Sequence, residues 1–199
     1  GSCSNISALE SSFIVKTDTD SFKSTSLIYS CGATAKWLGL DREAEFTGKG
    51  VSACATCDAY FFKNKKVIVV GGGDTAMEEA LHLSKFAKEV SIFVRKDKLK
   101  ASKAMQQRVF NTSNIEIIYN IAVTELIGDN LLSAVNVIKD GTVRKIETDG
   151  LFVAIGHNPN SNLIKGFVEL DSAGYVIARN EVFTETPGLF VAGDVADNI

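Results

Sequence analysis

Residues 67–80 have the sequence VIVVGGGDTAMEEA, and this stretch decides the fold. Its first four residues are all apolar and β-branched, which is typical of a strand buried on both faces. The three glycines at 71–73 predict a tight turn. Small and apolar residues then recur at three- and four-residue spacing, which predicts a helix over residues 74–87. The order strand, glycine turn and helix is the first unit of a dinucleotide-binding α/β domain.

The glycine turn has the pattern Gly71-x-Gly73-x-x-Ala76. Gly71 permits the tight turn, Gly73 lets the backbone approach a pyrophosphate, and a small residue at position 76 lets the helix pack against the strand. The amides at the helix N-terminus would then bind the phosphates. A plain strand–turn–helix junction without a ligand is the alternative.

Strands and helices continue to alternate after this unit. Val90 begins the next strand, and the Asp140-Gly141 pair predicts a hairpin. The fold class is therefore α/β: a Rossmann-like, three-layer nucleotide domain with a parallel sheet and a β-meander. The other predicted elements are strands at 13–17, 27–30, 90–94, 115–119, 123–127, 132–138, 142–147 and 151–155, a surface helix at 98–110, and a connection between domains at 33–50.

The end of the second strand of such a domain separates NAD from NADP. An acidic residue there binds a ribose 2′-hydroxyl, whereas arginine suits a 2′-phosphate. This chain has Arg95 and Lys96 at that point and Lys100 shortly afterwards. Its nearest acidic residue, Asp97, comes two residues after Arg95 and is not at the strand end. The charges favour NADPH, but we expect only a limited preference over NADH, because lysine binds a phosphate more weakly than bidentate arginine does. A solvated cationic turn is the alternative.

Cys54 and Cys57 form a Cys-x-x-Cys, followed directly by Asp58. Two cysteines at this spacing can close a small disulfide at the start of a helix, where a reactive thiolate is stabilised. Asp58 can carry a proton to or from a leaving thiolate. A zinc site would need four ligands, and His82 and His157 are poorly placed to complete one. Two reduced, structural cysteines are the other alternative.

Composition excludes several function classes. The net charge of -3 gives no basic surface for nucleic acid, and no apolar run approaches the ~20 residues of a membrane helix. No secretory signal is visible, so we expect a cytoplasmic protein. The chain does not begin with Met, and we expect it to be a piece of a longer one. Cys3 is interpreted as terminal and Cys31 as a small buried residue.

Six collinear blocks of the sequence resemble thioredoxin reductases of the low-molecular-weight flavoprotein type. They cover nearly the whole chain, and the related peroxiredoxin reductases differ from them around the cysteine pair. The blocks are CATCD at 54–58, FFKNKKV at 61–67, GGGDTAMEEA at 71–80, RKDKLKAS at 95–102, FVAIGHNP at 152–159 and GLFVAGDV at 188–195.

The resemblance implies an enzyme that passes electrons from NADPH to FAD, then to the Cys54–Cys57 disulfide, and finally to thioredoxin. It implies that Cys57 faces the flavin, that Cys54 attacks thioredoxin and that Asp58 is the acid–base residue. The implied NADPH positions are Gly71, Gly73, Asp74, Thr75, Arg95, Lys96, Lys100, Ile155, Gly156 and His157. The implied FAD positions are Gly32, Ala33, Gly193 and Asp194, the aspartate holding the ribityl chain.

The resemblance also implies a homodimer whose two domains rotate, and it suggests the domain boundaries. We expect part of the flavin domain at 1–34, the NADPH domain with the cysteine pair at 35–157, and the return into the flavin domain at 158–199. The family's flavin-binding Gly-x-Gly-x-x-Gly and its C-terminal segment fall outside these residues. Two further departures are Cys31 in place of threonine, and Val94 with lysines in the basic cluster.

Two alternatives to the full enzyme stay open from the sequence. One is an NADPH-binding module that does not turn over in this truncated form. The other is a reductase of a different disulfide partner, such as a glutaredoxin-like domain.

Overall fold

The computed structural model describes residues 2–9 and 12–196, with only the backbone of Leu9. The chain divides into two compact units. The first, called the nucleotide unit below, is Ala35–Gly156, and the second, called the split unit, combines Gly1–Thr34 with His157–Ile199. Each unit has its own hydrophobic core.

The strands of the described residues are β1 (Cys3–Leu9), β2 (Ser12–Thr17), β3 (Ser21–Ser24), β4 (Leu27–Tyr29), β5 (Ala33–Ala35), β6 (Val51–Ser52), β7 (Lys66–Val70), β8 (Glu89–Val94), β9 (Ile115–Tyr119), β10 (Ile121–Gly128), β11 (Leu132–Lys139), β12 (Thr142–Glu147), β13 (Gly150–Val153), β14 (His157–Pro159) and β15 (Leu189–Val191). The helices are α1 (Glu43–Phe46), α2 (Ala55–Asp58), α3 (Asp74–Leu83) and α4 (Lys103–Phe110), with 3₁₀ turns at Ala59–Phe62 and Asn162–Ile164. Within the residues described, no helix combines the length and the apolar character needed to cross a membrane.

A five-stranded sheet forms the centre of the nucleotide unit, in the order β6-β13-β7-β8-β9. Every pair in it is parallel. Parallel neighbours place their carboxyl ends at one edge, which is where ligands bind in such sheets. The glycine turn after β7 and the basic residues after β8 therefore share an edge.

Two hydrophobic clusters make the nucleotide unit a three-layer structure. Val67 and Val69 of β7 pack towards the helices α3 and α4, while Ile68 of the same strand packs towards the meander. The alternation follows from the two-residue period of a strand. Both sheet faces are covered, which explains the unbroken apolar run in β7.

The meander consists of β10, β11 and β12, all antiparallel. Asp140 and Gly141 form the β11–β12 turn with φ of 50° and 75°, the left-handed pair that a two-residue hairpin favours. The predicted hairpin and the predicted fold class, a parallel sheet with helices and a β-meander, are both confirmed.

The split unit contains a three-stranded antiparallel sheet, β1-β2-β3, and a parallel pair, β4 with β15. Its core includes Phe13, Tyr29 and Ile164. The pairing of β4 with β15 joins segments that lie about 160 positions apart in the sequence, which no local pattern indicates.

Several predicted boundaries differ from those in the structure. The helix predicted over 98–110 begins only at Lys103, because the Ser102 hydroxyl caps it by accepting from the Met105 amide at 3.4 Å. Helix α3 ends at Leu83 and not at 87, since the chain leaves it through a turn in which the Phe86 amide reaches back to Leu83. Strand β13 stops at Val153, and the segment 33–50 contains β5 and α1.

Candidate functional site

Cys54 and Cys57 form a disulfide at the start of α2. Cys54 is the N-cap residue, in an extended conformation, and its sulfur accepts a hydrogen bond from the Cys57 amide at 3.2 Å. The helical turn brings the two Cα atoms to 5.3 Å, a separation that a disulfide bridges without distortion of the backbone. The predicted disulfide at a helix start is confirmed, and it occupies both of the sulfurs that a zinc site would need.

The disulfide is accessible although its helix is anchored. Ala55 and Ala59 are fully buried in the helix-side core, whereas Cys57 is exposed and Cys54 is half-buried. An external group can therefore reach the sulfurs while the backbone beneath them stays fixed.

Asp58 is held by Ser52, which the sequence analysis did not single out. The Ser52 hydroxyl donates to Asp58 Oδ2 at 2.6 Å, and its oxygen accepts from the Cys54 amide at 3.0 Å. Ser52 is 7% exposed, so both bonds are shielded from water. One buried serine thus joins the first cysteine to the carboxylate that follows the second.

Glu79 is a second carboxylate beside the pair. Its Oε2 accepts a hydrogen bond from the Ala55 amide at 2.6 Å. Partial burial raises the pKa of Glu79, the Ala55 hydrogen bond opposes this, and the negative charges of Glu78 and Asp58 add to it. No sequence pattern indicates Glu79, because its contact with the Ala55 amide depends on how α3 packs against α2.

A cavity of about 610 Å³ opens at the carboxyl edge of the parallel sheet. Gly71 lies where the chain is closest to its neighbours: a Cβ there would collide with the Ala154 carbonyl and lie 2.7 Å from Cβ of Ala76. Gly73 faces open space, with no atom within 4 Å of a Cβ built on it. The first glycine therefore permits packing, and the second leaves room for a ligand.

Four cations line this cavity: Arg95, Lys96, Lys98 and Lys100. They follow β8, and the segment that carries the lysines is fastened across the glycine turn by hydrogen bonds from the Lys100 and Ala101 amides to the Gly72 carbonyl, at 2.7 and 3.0 Å. Asp97 is not among the lining residues. Sequence reasoning missed Lys98, which stands next to Asp97 and has no motif of its own.

Asp74 does not line the cavity, although the sequence resemblance implies a nucleotide position for it. Its Oδ1 accepts from the amide and the hydroxyl of Ser102, at 2.9 and 2.8 Å. It thereby ties the start of α3 to the start of α4. Thr75 does line the cavity.

The opposite wall is largely apolar, with Trp37, Leu38, Phe93, Ile121, Ala122 and Val123. Ile155 and Gly156 complete it near the end of the nucleotide unit. His157 is the first residue of the second segment of the split unit. Trp37, the single tryptophan of the chain, was not singled out from the sequence.

The four predicted flavin positions all lie in the split unit. Gly32 and Ala33 follow β4, and Gly193 and Asp194 follow β15. Because β4 and β15 are parallel neighbours, these residues share the carboxyl edge of that pair. Cys31 is exposed there, so its interpretation as a buried residue is wrong. It comes after the end of β4, where the chain leaves the sheet.

A family model described as pyridine nucleotide-disulphide oxidoreductase matches residues 2–199. The chain belongs to this family. Two features of the nucleotide unit agree with this description: the Cys54–Cys57 disulfide and the cavity at the glycine turn.

Relatives of this oxidoreductase carry more specific names. It is 45% identical over 201 residues to NADPH-dependent thioredoxin reductase 3 of Arabidopsis thaliana, over 98% of the chain and 38% of that protein. It is 41% identical over 198 residues to the thioredoxin reductase of Coxiella burnetii, over 94% of the chain and 62% of that protein. The solved thioredoxin reductase of Lactococcus lactis matches with a TM-score of 0.85 and 34% identity, over 100% of the chain and 67% of that structure.

These relatives confirm the resemblance to thioredoxin reductase. The chain spans 38 to 62% of the length of the two curated relatives described, and thus represents part of such a protein.

Proposed function

We propose that this chain is the nicotinamide-nucleotide and disulfide portion of a thioredoxin reductase, which uses NADPH and FAD to reduce thioredoxin. The observation that carries the proposal is the pairing, within one compact unit, of an accessible Cys54–Cys57 disulfide with a cationic cavity at a glycine turn. The names of the relatives support the same reaction.

NADPH fits the cavity of the nucleotide unit. Gly71, Gly73 and Thr75 surround the turn at the start of α3, where free amides and open space suit a pyrophosphate. Arg95, Lys96 and Lys100 would bind the 2′-phosphate. Among the described residues that line the cavity there is no carboxylate to hold an unphosphorylated ribose.

The remaining positions of the proposed nucleotide and flavin sites follow the resemblance. Ile155 and Gly156 line the end of the cavity, and His157 and Asp74 are proposed near the nucleotide from the resemblance alone. Gly32, Ala33, Gly193 and Asp194 would contact FAD, since the edge of a parallel pair suits a ligand. FAD, when bound, would supply the two-electron relay between a nicotinamide hydride and a disulfide.

The cysteine pair would perform the exchange with the partner protein. Reduction of the disulfide adds two electrons and two protons and leaves two thiols. Cys54, as a thiolate, would attack a sulfur of the partner's disulfide and release the other partner sulfur as a thiol. Cys57, as a thiolate, would then attack the Cys54 sulfur of this mixed disulfide, break its bond to the partner and restore the intramolecular disulfide, and the partner's remaining sulfur would leave and take up a proton. Asp58, fixed by Ser52, would move the protons.

A protein partner is favoured by two aromatic side chains. Tyr60 and Phe61 come shortly after α2, the helix at the disulfide, and are 71% and 70% exposed. Large exposed aromatic residues beside an accessible disulfide suit contact with a protein surface. By resemblance we further propose a homodimeric, cytoplasmic parent enzyme.

The test is Cys57→Ser in the full-length parent enzyme, with Cys3→Ser as the control. Cys57→Ser should abolish thioredoxin reduction and leave NADPH affinity nearly unchanged, because the sulfur is outside the cavity lining. Cys3 is an exposed cysteine of β1, and Cys3→Ser should retain activity. Thioredoxin reduction at the wild-type rate by Cys57→Ser would show that the pair is not the redox centre.

A further inference from the structure

Glu79 is a carboxylate next to the disulfide that the proposed exchange does not use. It lies in the second turn of α3, the helix that begins at the glycine turn. Its hydrogen bond from the Ala55 amide, at 2.6 Å, reaches the first residue of the redox helix α2. Ala55 is fully buried, so the amide cannot turn to another partner without movement of the helix.

The amides around Cys54 are divided between sulfur and oxygen. The Cys57 amide points at the Cys54 sulfur, at 3.2 Å, and would stabilise a thiolate there. The Ala55 amide, one residue after Cys54, is taken by Glu79. A donor that could otherwise help a thiolate is therefore committed to a carboxylate.

The negative charge of Glu79 disfavours a Cys54 thiolate, as does the loss of the Ala55 amide as a donor. Two carboxylates are held at the redox helix, Asp58 by Ser52 and Glu79 by the Ala55 amide, and the charge of Asp58 adds to the raised pKa of Glu79. Glu78 is a third acidic neighbour, and its side chain is exposed. His82, Lys85 and Arg108 line the same groove as Glu79 and are, with Glu78, the other titratable or charged residues of its lining.

We propose that Glu79 is a positioning residue that keeps the Cys54–Cys57 pair strongly reducing. It raises the free energy of the Cys54 thiolate by adding a like charge and by withholding the Ala55 amide. A reduced pair whose thiolate is destabilised gives up its two electrons more readily and closes the disulfide. The inference rests on the proposed redox role of the pair.

The experiment compares Glu79→Gln, Glu79→Ala and the control Glu78→Gln in the 199-residue chain. Each protein is equilibrated in glutathione and dithiothreitol redox buffers at about pH 8, where a carboxylate stays ionised. The reduced fraction is read by alkylation and mass spectrometry. Glu79→Gln should be reduced about tenfold more easily, a rise of about 30 mV in potential. Glu79→Ala should shift at least as far, because it also frees the Ala55 amide. Glu78→Gln, an equal change of charge one residue away, should stay within about twofold, or about 9 mV.

Several outcomes overturn the inference. An unchanged potential in Glu79→Gln would remove the electrostatic role, even if Glu79→Ala shifts, because glutamine keeps an oxygen that can accept from Ala55. Equal shifts in Glu79→Gln and Glu78→Gln would show that general surface charge is responsible. A pair that resists reduction in every variant would overturn the proposed function as well. A pair that cycles normally in all variants, with one common potential, would overturn only the role of Glu79.

Discussion

Arg95 carries the charge on which the proposed preference for NADPH most depends. It is the only arginine among the described residues that line the cavity, and arginine can bind a phosphate through two parallel hydrogen bonds. Arg95→Ala should weaken NADPH binding by on the order of 1–3 kcal/mol and leave NADH binding little affected. Titration can follow the fluorescence of Trp37, the single tryptophan, which lines the same cavity.

The matched control for Arg95 is Arg144→Ala. Arg144 is an exposed arginine of β12 outside the cavity lining, so its loss should leave both affinities unchanged. An equal loss of NADPH and NADH affinity in Arg95→Ala would contradict a contact with the 2′-phosphate.

Glu79 should also give stability a pH dependence. Burial raises the pKa of Glu79 above its ordinary 4.5, so its ionised form costs more in the folded chain than in the unfolded one. This cost is absent below the unfolded pKa and fully present above the folded one. The free energy of unfolding of Glu79→Gln, relative to wild type, should therefore increase between about pH 4 and pH 7. Urea titrations across this range measure it.

The contrast for this titration is Glu78→Gln, whose side chain is exposed. Its relative stability should change little with pH. A flat or falling difference for Glu79→Gln would mean that the Ala55 hydrogen bond outweighs burial.

At the scale of elements, the strand β7, its turn and α3 depend on two glycines with different roles. Gly71→Ala should destabilise the fold by about 1–3 kcal/mol, because a Cβ has no room between Ala154 and Ala76. Gly73→Ala meets no atom and should change stability by less than about 1 kcal/mol. It should instead weaken NADPH binding, since its methyl group would enter the space left for the phosphates. Denaturant unfolding and tryptophan titration separate the two effects.

Comparable stability losses in both glycine variants would contradict this division. If neither variant lost nucleotide binding, the turn would not belong to the proposed site.

The sequence predicts well those elements whose structure follows from their own residues and does not depend on contacts with a particular other segment. β7 is apolar throughout because both its faces are covered, and the Asp140-Gly141 turn has local geometry. The start of α4 is different: residues 98–101 carry the polar pattern of a surface helix, but the Lys100 and Ala101 amides bind the Gly72 carbonyl. That contact is tertiary, and the spacing of polar and apolar residues does not predict it.

The candidate site shows the same limit. Cys54, Cys57 and the cations after β8 are recognisable from residue type and spacing. Ser52 and Glu79 are not, because each acquires its role from one hydrogen bond across elements. A serine at a strand end and a glutamate within a helix have no distinguishing pattern in the sequence.

At the scale of the whole molecule, the disulfide and the lining of the cavity belong to the nucleotide unit, whereas the proposed flavin positions and His157 belong to the split unit. The cavity lining, the disulfide, Ser52 and Glu79 all fall within residues 35–156, and so do two of the three hydrophobic clusters. Residues 35–156 produced alone should therefore unfold cooperatively and bind NADPH within about threefold of the 199-residue chain. Circular dichroism and Trp37 fluorescence measure both properties.

The same shorter chain tests which residues complete the proposed nucleotide and flavin sites. It contains none of Gly32, Ala33, Gly193 and Asp194, so we expect it to be colourless after mixing with FAD and gel filtration. Arg95→Ala should reduce its NADPH affinity as in the longer chain, because the cation and the cavity are both retained. NADPH affinity more than tenfold below that of the longer chain would show that residues outside 35–156 complete the nucleotide site. Bound flavin absorbance would instead place a flavin contact within the nucleotide unit, and the assignment of those four residues would then be wrong.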